Sequence, residues 1–140
     1  MKRPKQTILK QLRHILSIPF IWAMLVPTFF MHIAAFLYQA VCFRLYEIEP
    51  VKLRDFVSFD REKLGYLTWY DKFNCAYCSY ANGVYSYVTE IGRRTEYYWC
   101  GIKHRSFPDN PAYSYQEKFA PYGDEEAFCK LIMKSGRIEK

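Results

Sequence analysis

Four residues in the polar part of the chain have the types and spacing of a metal site. Cys75 and Cys78 form a C-x2-C pair, and Cys100 and His104 follow as a C-x3-H pair. A C-x2-C turn brings two thiolates to one side of a tight loop, and residues four apart share one face of a helix, so the pairs supply four tetrahedral ligands. Three thiolates and one imidazole suit zinc best, and mononuclear iron or an iron–sulfur cluster is the alternative.

The same cysteines leave other chemistry open. A C-x2-C pair is also typical of thiol oxidoreductases, although we find no βαβ pattern around it. An oxidising compartment would instead favour disulfides. Cys129 lies on a predicted helix as a core residue and is the alternative to His104 as fourth ligand, whereas Cys42 ends an apolar run and is expected to pack as a small hydrophobe.

The longest feature of the sequence is an apolar segment. Residues 14–43 contain no Asp, Glu, Lys or Arg, and about 20 apolar residues are enough for a helix to cross a bilayer. The run is too long for the apolar core of a signal peptide. We therefore predict a membrane segment over 14–43, behind a basic arm over 1–13 that holds Lys2, Arg3, Lys5, Lys10 and Arg13.

Proline divides this segment and leaves two arrangements open. A straight helix of this length would be about 45 Å long, which exceeds the hydrocarbon thickness, and Pro27 falls near its midpoint. Either one kinked helix crosses the membrane, or the chain turns back near Pro27 as a re-entrant hairpin with both ends in the cytoplasm. Because thiolate ligands need a reducing compartment, the metal site favours the hairpin and the cytoplasmic face of an inner membrane.

Charge and length narrow the function classes. The net charge is +6, but the arm holds five of the 20 basic residues, and the remaining 15 nearly balance the 14 acidic residues. A basic recognition face for nucleic acid is therefore not expected. At 140 residues the chain has room for one small domain, which we place over 44–140 after the arm and the membrane segment.

Hydrophobic spacing predicts a mainly α-helical fold for this domain. Asn82-Gly83 is a turn signal, so we expect a compact loop over 74–83 that carries the C-x2-C pair. Asp60 and Asp124 are of the type that caps helices. The helices themselves are expected over 61–73, 84–99 and 125–134.

The cysteine signature also carries a resemblance. The stretches KFNCAYCSYANG and YYWCGIKH, together with the hydrophobic segment before them, resemble an uncharacterised group of small bacterial membrane-anchored proteins. The resemblance covers roughly residues 25–105. It implies a bacterial origin and implies that Cys75, Cys78, Cys100 and His104 belong together, and it carries no activity with it.

Three functions remain as hypotheses. The first is a membrane-anchored structural zinc module that docks or organises a protein partner at the bilayer. The second is electron transfer through iron or an iron–sulfur cluster at the same ligands. The third is thiol–disulfide exchange by Cys75 and Cys78. No nucleophile paired with a base is evident in the sequence, so we expect a binding role before a catalytic one.

Overall fold

The protein is mainly α-helical, as predicted. The computed structural model describes residues 8–106 and 111–134, and within these ranges the only β pairing is an isolated bridge between Ile102 and Ala120. The chain divides into two compact units, Met1–Val88 and Thr89–Lys140. The α-helices are α1 (Ile8–Ala23), α2 (Leu25–Tyr38), α3 (Trp69–Trp99) and α4 (Glu125–Lys134).

The apolar segment forms a single interrupted helix. It extends over Ile8–Phe43, and its last five residues, Gln39–Phe43, form a π-helical turn. The interruption lies at Met24, one turn before Pro27, because proline has no N–H to bond the preceding turn. Met24 keeps helical angles (φ −66°, ψ −15°), and the Thr28 amide donates to its carbonyl oxygen at 3.2 Å. The chain therefore continues past Pro27, and the re-entrant hairpin is wrong.

The loop predicted over 74–83 is also wrong, because α3 runs unbroken through it. Gly83 does not form a turn; it lies inside α3, where Phe56 and Val57 approach its backbone closely. A Cβ atom at Gly83 would overlap the Val57 side chain and would lie 2.9 Å from the Phe56 carbonyl oxygen. Asn82 uses its side-chain amide to donate to the Cys78 carbonyl oxygen at 2.8 Å. Gly83 therefore allows a close approach to the helix, whereas Asn82 bonds to the preceding turn of α3.

The start of α3 differs from the prediction as well. Asp60–Lys63 is a short 3-10 helix in place of the start of the helix predicted over 61–73. The α-helix begins at Trp69, where Thr68 and Asp71 cap it reciprocally. The Asp71 carboxylate accepts from the Thr68 amide at 3.1 Å and from the Thr68 hydroxyl at 2.6 Å, and the Thr68 hydroxyl oxygen accepts from the Asp71 amide at 3.3 Å. This pairing satisfies amide donors that a helix start leaves free.

The second unit follows the sequence more closely. The end of α3 at Trp99 and the α4 helix over 125–134 are confirmed. Gly101 adopts a left-handed conformation (φ 61°) and its amide donates to the Glu96 carbonyl oxygen at 3.0 Å, which ends the helix. The Asp124 carboxylate accepts from the Ala127 amide at 2.9 Å and caps α4. Between α3 and α4, residues 107–110 lie outside the described residues, and Pro111–Lys118 forms a 3-10 helix.

Candidate functional site

The polar side chains of α2 point towards α3. Thr28 is completely buried, and its hydroxyl shares a hydrogen bond of 2.7 Å with the hydroxyl of Tyr85. One turn later, the Nδ1 atom of His32 lies 3.1 Å from the hydroxyl of Tyr80. Because each polar group on this face has a phenolic partner, α2 can bury it without leaving a hydrogen bond unmade.

Gln39 completes this polar face at the end of α2. Its Nε2 atom donates to the Val51 carbonyl oxygen at 3.0 Å and to the Tyr87 hydroxyl at 2.6 Å, while its Oε1 atom accepts from the Val51 amide at 2.8 Å. The residue is only 7% exposed. A single buried amide therefore holds both the chain after the apolar helix and α3.

The opposite faces of α1 and α2 are apolar and exposed. Phe30 is 65% exposed, and the other large apolar side chains of α2 that point outwards are similarly uncovered. We call this surface the apolar face. Its members on the two helices and the π-helical turn are Ile8, Leu9, Leu12, Ile15, Leu16, Phe20, Ile21, Met24, Val26, Phe29, Phe30, Met31, Ile33, Phe36, Leu37 and Val41.

The apolar helix and the first part of α3 run in the same direction. Trp22 stacks on Phe73 with ring centroids 4.9 Å apart, and the Tyr77 hydroxyl donates to the Ile21 carbonyl oxygen at 2.6 Å. Further along both helices, Gln39 meets Tyr87. Because the two helices run in the same direction, the chain must return to the end where their contacts begin, and residues 44–68 provide this connection.

Residues 44–68, which we call the return segment, run back along α3. The segment leaves the apolar helix at Phe43, is fixed at Val51 by Gln39, and reaches Gly83 with Phe56 and Val57. The Ser79 hydroxyl then donates to the carbonyl oxygen of Ser58. The return segment therefore lies beside the same stretch of α3 that contacts α2.

The four residues of the predicted metal site are divided between the two units. Cys75 and Cys78 lie within α3 in the first unit, three residues apart on one helix, and Cys100 and His104 follow the end of α3 in the second. No three His, Cys, Asp or Glu side chains are arranged to hold a metal ion within residues 8–106 and 111–134. Each cysteine, including the alternative ligand Cys129, is a free thiol.

Cys75 has surroundings that the sequence did not suggest. It lines a cleft of about 370 Å³ together with Trp69, Lys72 and Arg61. Cys78 points outwards and is exposed, as are Cys100 and Cys129. The C-x2-C pair therefore presents one thiol to a cleft and the other to the surface.

The polar face of α2 is the feature that sequence reasoning missed. A signal for it exists, because Thr28, His32, Ala35 and Gln39 recur at intervals of four, three and four residues and so share one helical stripe. The uniform apolarity of the segment conceals this stripe.

Comparison with protein-family models, curated proteins and solved structures finds no match to this chain.

Proposed function

We propose that this protein is anchored to a lipid bilayer by its apolar face and holds its second unit at the membrane surface. The supporting observation is the inverted arrangement of α2. In a water-soluble fold a surface helix buries its apolar residues and exposes its polar ones. Here α2 buries Thr28, the π-helical turn after it buries Gln39, and α2 exposes Phe30 and Leu37. This inversion suits a hydrocarbon environment on the outside.

A bilayer suits this face better than a protein partner. Protein interfaces usually surround an apolar centre with a polar rim, but residues 14–43 carry no Asp, Glu, Lys or Arg on any face. The helix Ile8–Phe43 is long and apolar enough to cross a membrane by length and composition. Lys10 and Arg13 are exposed at its start, where they can reach anionic lipid headgroups.

In this proposal the second unit, Thr89–Lys140, is available to a protein partner beside the membrane. The proposed location is the cytoplasmic face of a bacterial inner membrane. It depends on the resemblance for the bacterial source and on the need of thiolate ligands for a reducing compartment for the side. The bilayer anchor does not depend on either.

Zinc at Cys75, Cys78, Cys100 and His104 stays a prediction, as do its iron, iron–sulfur and thiol oxidoreductase alternatives. The first two cysteines belong to one unit and the other two residues to the other unit. The proposed anchor depends on the apolar face and not on a metal.

Vesicle flotation tests the anchor. Purified full-length protein is diluted from detergent into vesicles of phosphatidylethanolamine and phosphatidylglycerol, and the fraction that floats with lipid is measured. We expect the protein to float and to resist extraction at high salt and alkaline pH. The double variant Phe30→Glu/Leu37→Glu should reduce the bound-to-free ratio by about tenfold or more, because it places two carboxylates where lipid contact is proposed.

Tyr122→Glu is the matched control for this experiment. Tyr122 is an aromatic residue that is 60% exposed, but it belongs to the second unit and is not a member of the apolar face. This variant should float like the unchanged protein. Failure of the unchanged protein to float, or equal flotation of the double variant, would contradict the proposed anchor.

A further inference from the structure

We infer that α1 and α2 insert into one leaflet and lie along the bilayer surface instead of crossing it. The inference rests on the bilayer anchor proposed above and specifies how the apolar face meets the lipid. It follows from the position of the return segment and from the length of helix that this segment leaves uncovered.

The return segment places charged side chains beside the stretch of the apolar helix between Thr28 and Gln39. Val51 lies at Gln39, and Val57 lies at Gly83, two residues from the tyrosine that reaches Thr28. The short 3-10 helix Leu53–Asp55 falls between these two points. Its charged side chains are strongly exposed, at 78% for Arg54 and 60% for Asp55.

A helix crossing the bilayer would carry these charges into the hydrocarbon. If the stretch from Thr28 to Gln39 stood upright in the core, Arg54 and Asp55 would lie at the same depth and face lipid. The return segment would lie there too, with non-helical backbone whose amides and carbonyls lose their water. Irregular backbone does not face lipid at that depth, and ionised side chains there carry a large free-energy cost.

Shifting the helix along its axis does not remove the conflict. The ring and hydrogen-bond contacts with α3 begin at Ile21 and Trp22 among the described residues. Residues 8–20 extend beyond them and form about 20 Å of helix, which is shorter than the hydrocarbon core of about 30 Å. Within the described residues, the uncovered part of the helix is therefore too short to cross alone.

An orientation along the surface places the apolar face in lipid and keeps the charged return segment in water. The apolar face then enters the outer acyl region of one leaflet over its whole length, while the return segment and the part of α3 that belongs to the first unit remain on the water side. Lys10 and Arg13 reach the headgroups along their aliphatic stems. The partner is one leaflet of a bilayer, and its anionic lipids pair with these bases.

The depth of three points along the apolar face tests this inference. A fluorescent label is attached to single cysteines made by Phe20→Cys, Phe30→Cys or Val41→Cys, and quenching is measured with lipids brominated at defined acyl positions. All three side chains are exposed on the apolar face. The inference expects the same shallow bromine position to quench all three labels best. A label at residue 30 quenched best by the deepest bromines, with shallow labels at 20 and 41, would overturn it.

The background for these labels is the chain in which the five native cysteines are replaced, and it must float and show the same helix content as the unchanged protein. The replacements are Cys42→Ala, Cys75→Ala, Cys78→Ala, Cys100→Ala and Cys129→Ala. If this chain fails those checks, the native sequence is tagged at both ends, added to preformed vesicles and treated with protease. Digestion of both tags supports the inference, and protection of one tag overturns it.

The two proposals fail in different ways. Loss of flotation contradicts the anchor itself. The other outcome is a protein that floats and resists extraction, but has one tag protected from protease or a label at residue 30 that is quenched best by the deepest bromines. Such a protein is anchored and crosses the membrane, which overturns only the orientation along the surface.

Discussion

The Nε2 atom of Gln39 lies 2.6 Å from the hydroxyl oxygen of Tyr87, and both side chains are buried. The same Gln39 amide bonds both backbone groups of Val51. One polar side chain from an apolar helix therefore fixes two other parts of the first unit. Gln39 lies in the π-helical turn, and such turns often occur where a helix has a specific role.

We expect Gln39→Leu to destabilise the first unit by about 2 to 4 kcal/mol, because the Val51 amide and carbonyl then lose their buried partners. Tyr87→Phe removes only one hydroxyl and should cost about 1 kcal/mol. Chemical unfolding in detergent micelles measures both. Leu37→Ala, at an exposed position, is the control, and equal stability of Gln39→Leu and this control would contradict the role of Gln39.

Two glycines of α3 should respond to alanine in opposite directions. Gly83→Ala should destabilise the protein, since the added Cβ overlaps Val57 and approaches the Phe56 carbonyl. Gly92→Ala meets no atom within 4 Å and should stabilise the helix by about 0.5 to 1 kcal/mol. Thermal unfolding of the two variants in detergent provides the comparison. Stabilisation by both changes would mean that the return segment does not lie against Gly83.

Alkaline pH should weaken the second unit through Tyr115. Burial raises the pKa of Tyr115, and the hydrogen bond that its hydroxyl donates to Glu96 at 2.7 Å raises it further. The pKa in the folded state therefore lies above the unfolded value near 10. The contribution of neutral Tyr115 to the free energy of unfolding is complete below that unfolded value, and it is lost as pH rises through the folded pKa.

The midpoint of thermal unfolding, followed from pH 8 to pH 11, measures this loss. Tyr115→Phe should lower stability at pH 8 and make the decline above pH 10 shallower. Tyr122→Phe changes an exposed tyrosine and should leave the profile unchanged. The prediction is wrong if the Tyr115→Phe profile stays parallel to that of the unchanged protein.

Elemental analysis of the purified full-length protein tests the metal prediction. If Cys75, Cys78, Cys100 and His104 hold zinc, we expect about one zinc per chain and a colourless solution. Cys100→Ser should lose the metal, and Cys129→Ser should keep it. Iron with a coloured spectrum would favour the electron-transfer alternative.

The Cys100→Ser variant also separates the metal site from thiol chemistry. A redox pair formed by Cys75 and Cys78 would exchange disulfides as well in Cys100→Ser as in the unchanged protein. A metal-free protein with five titratable thiols would contradict the zinc prediction and each of its iron alternatives.

The sequence alone predicts the elements that depend on neighbours along the chain. The apolar helix follows from a long uncharged run, and α4 follows from Asp124 and the apolar residues behind it. The end of α3 near Trp99 is likewise local, since Gly101 can take the left-handed conformation that a helix end requires.

Only the tertiary structure decides the meaning of Gly83 and Gln39. Asn82-Gly83 indicates a turn by local preference, but α3 continues through it, and the missing Cβ of Gly83 admits the backbone of residues far away in the sequence. Gln39 reads as one polar residue among apolar ones until Val51 and Tyr87 lie beside it. The inverted α2 helix and the charged segment at its level arise from contacts between distant residues. Hydrophobic periodicity reports how a residue relates to its own helix and carries no information about which distant chain segment covers it.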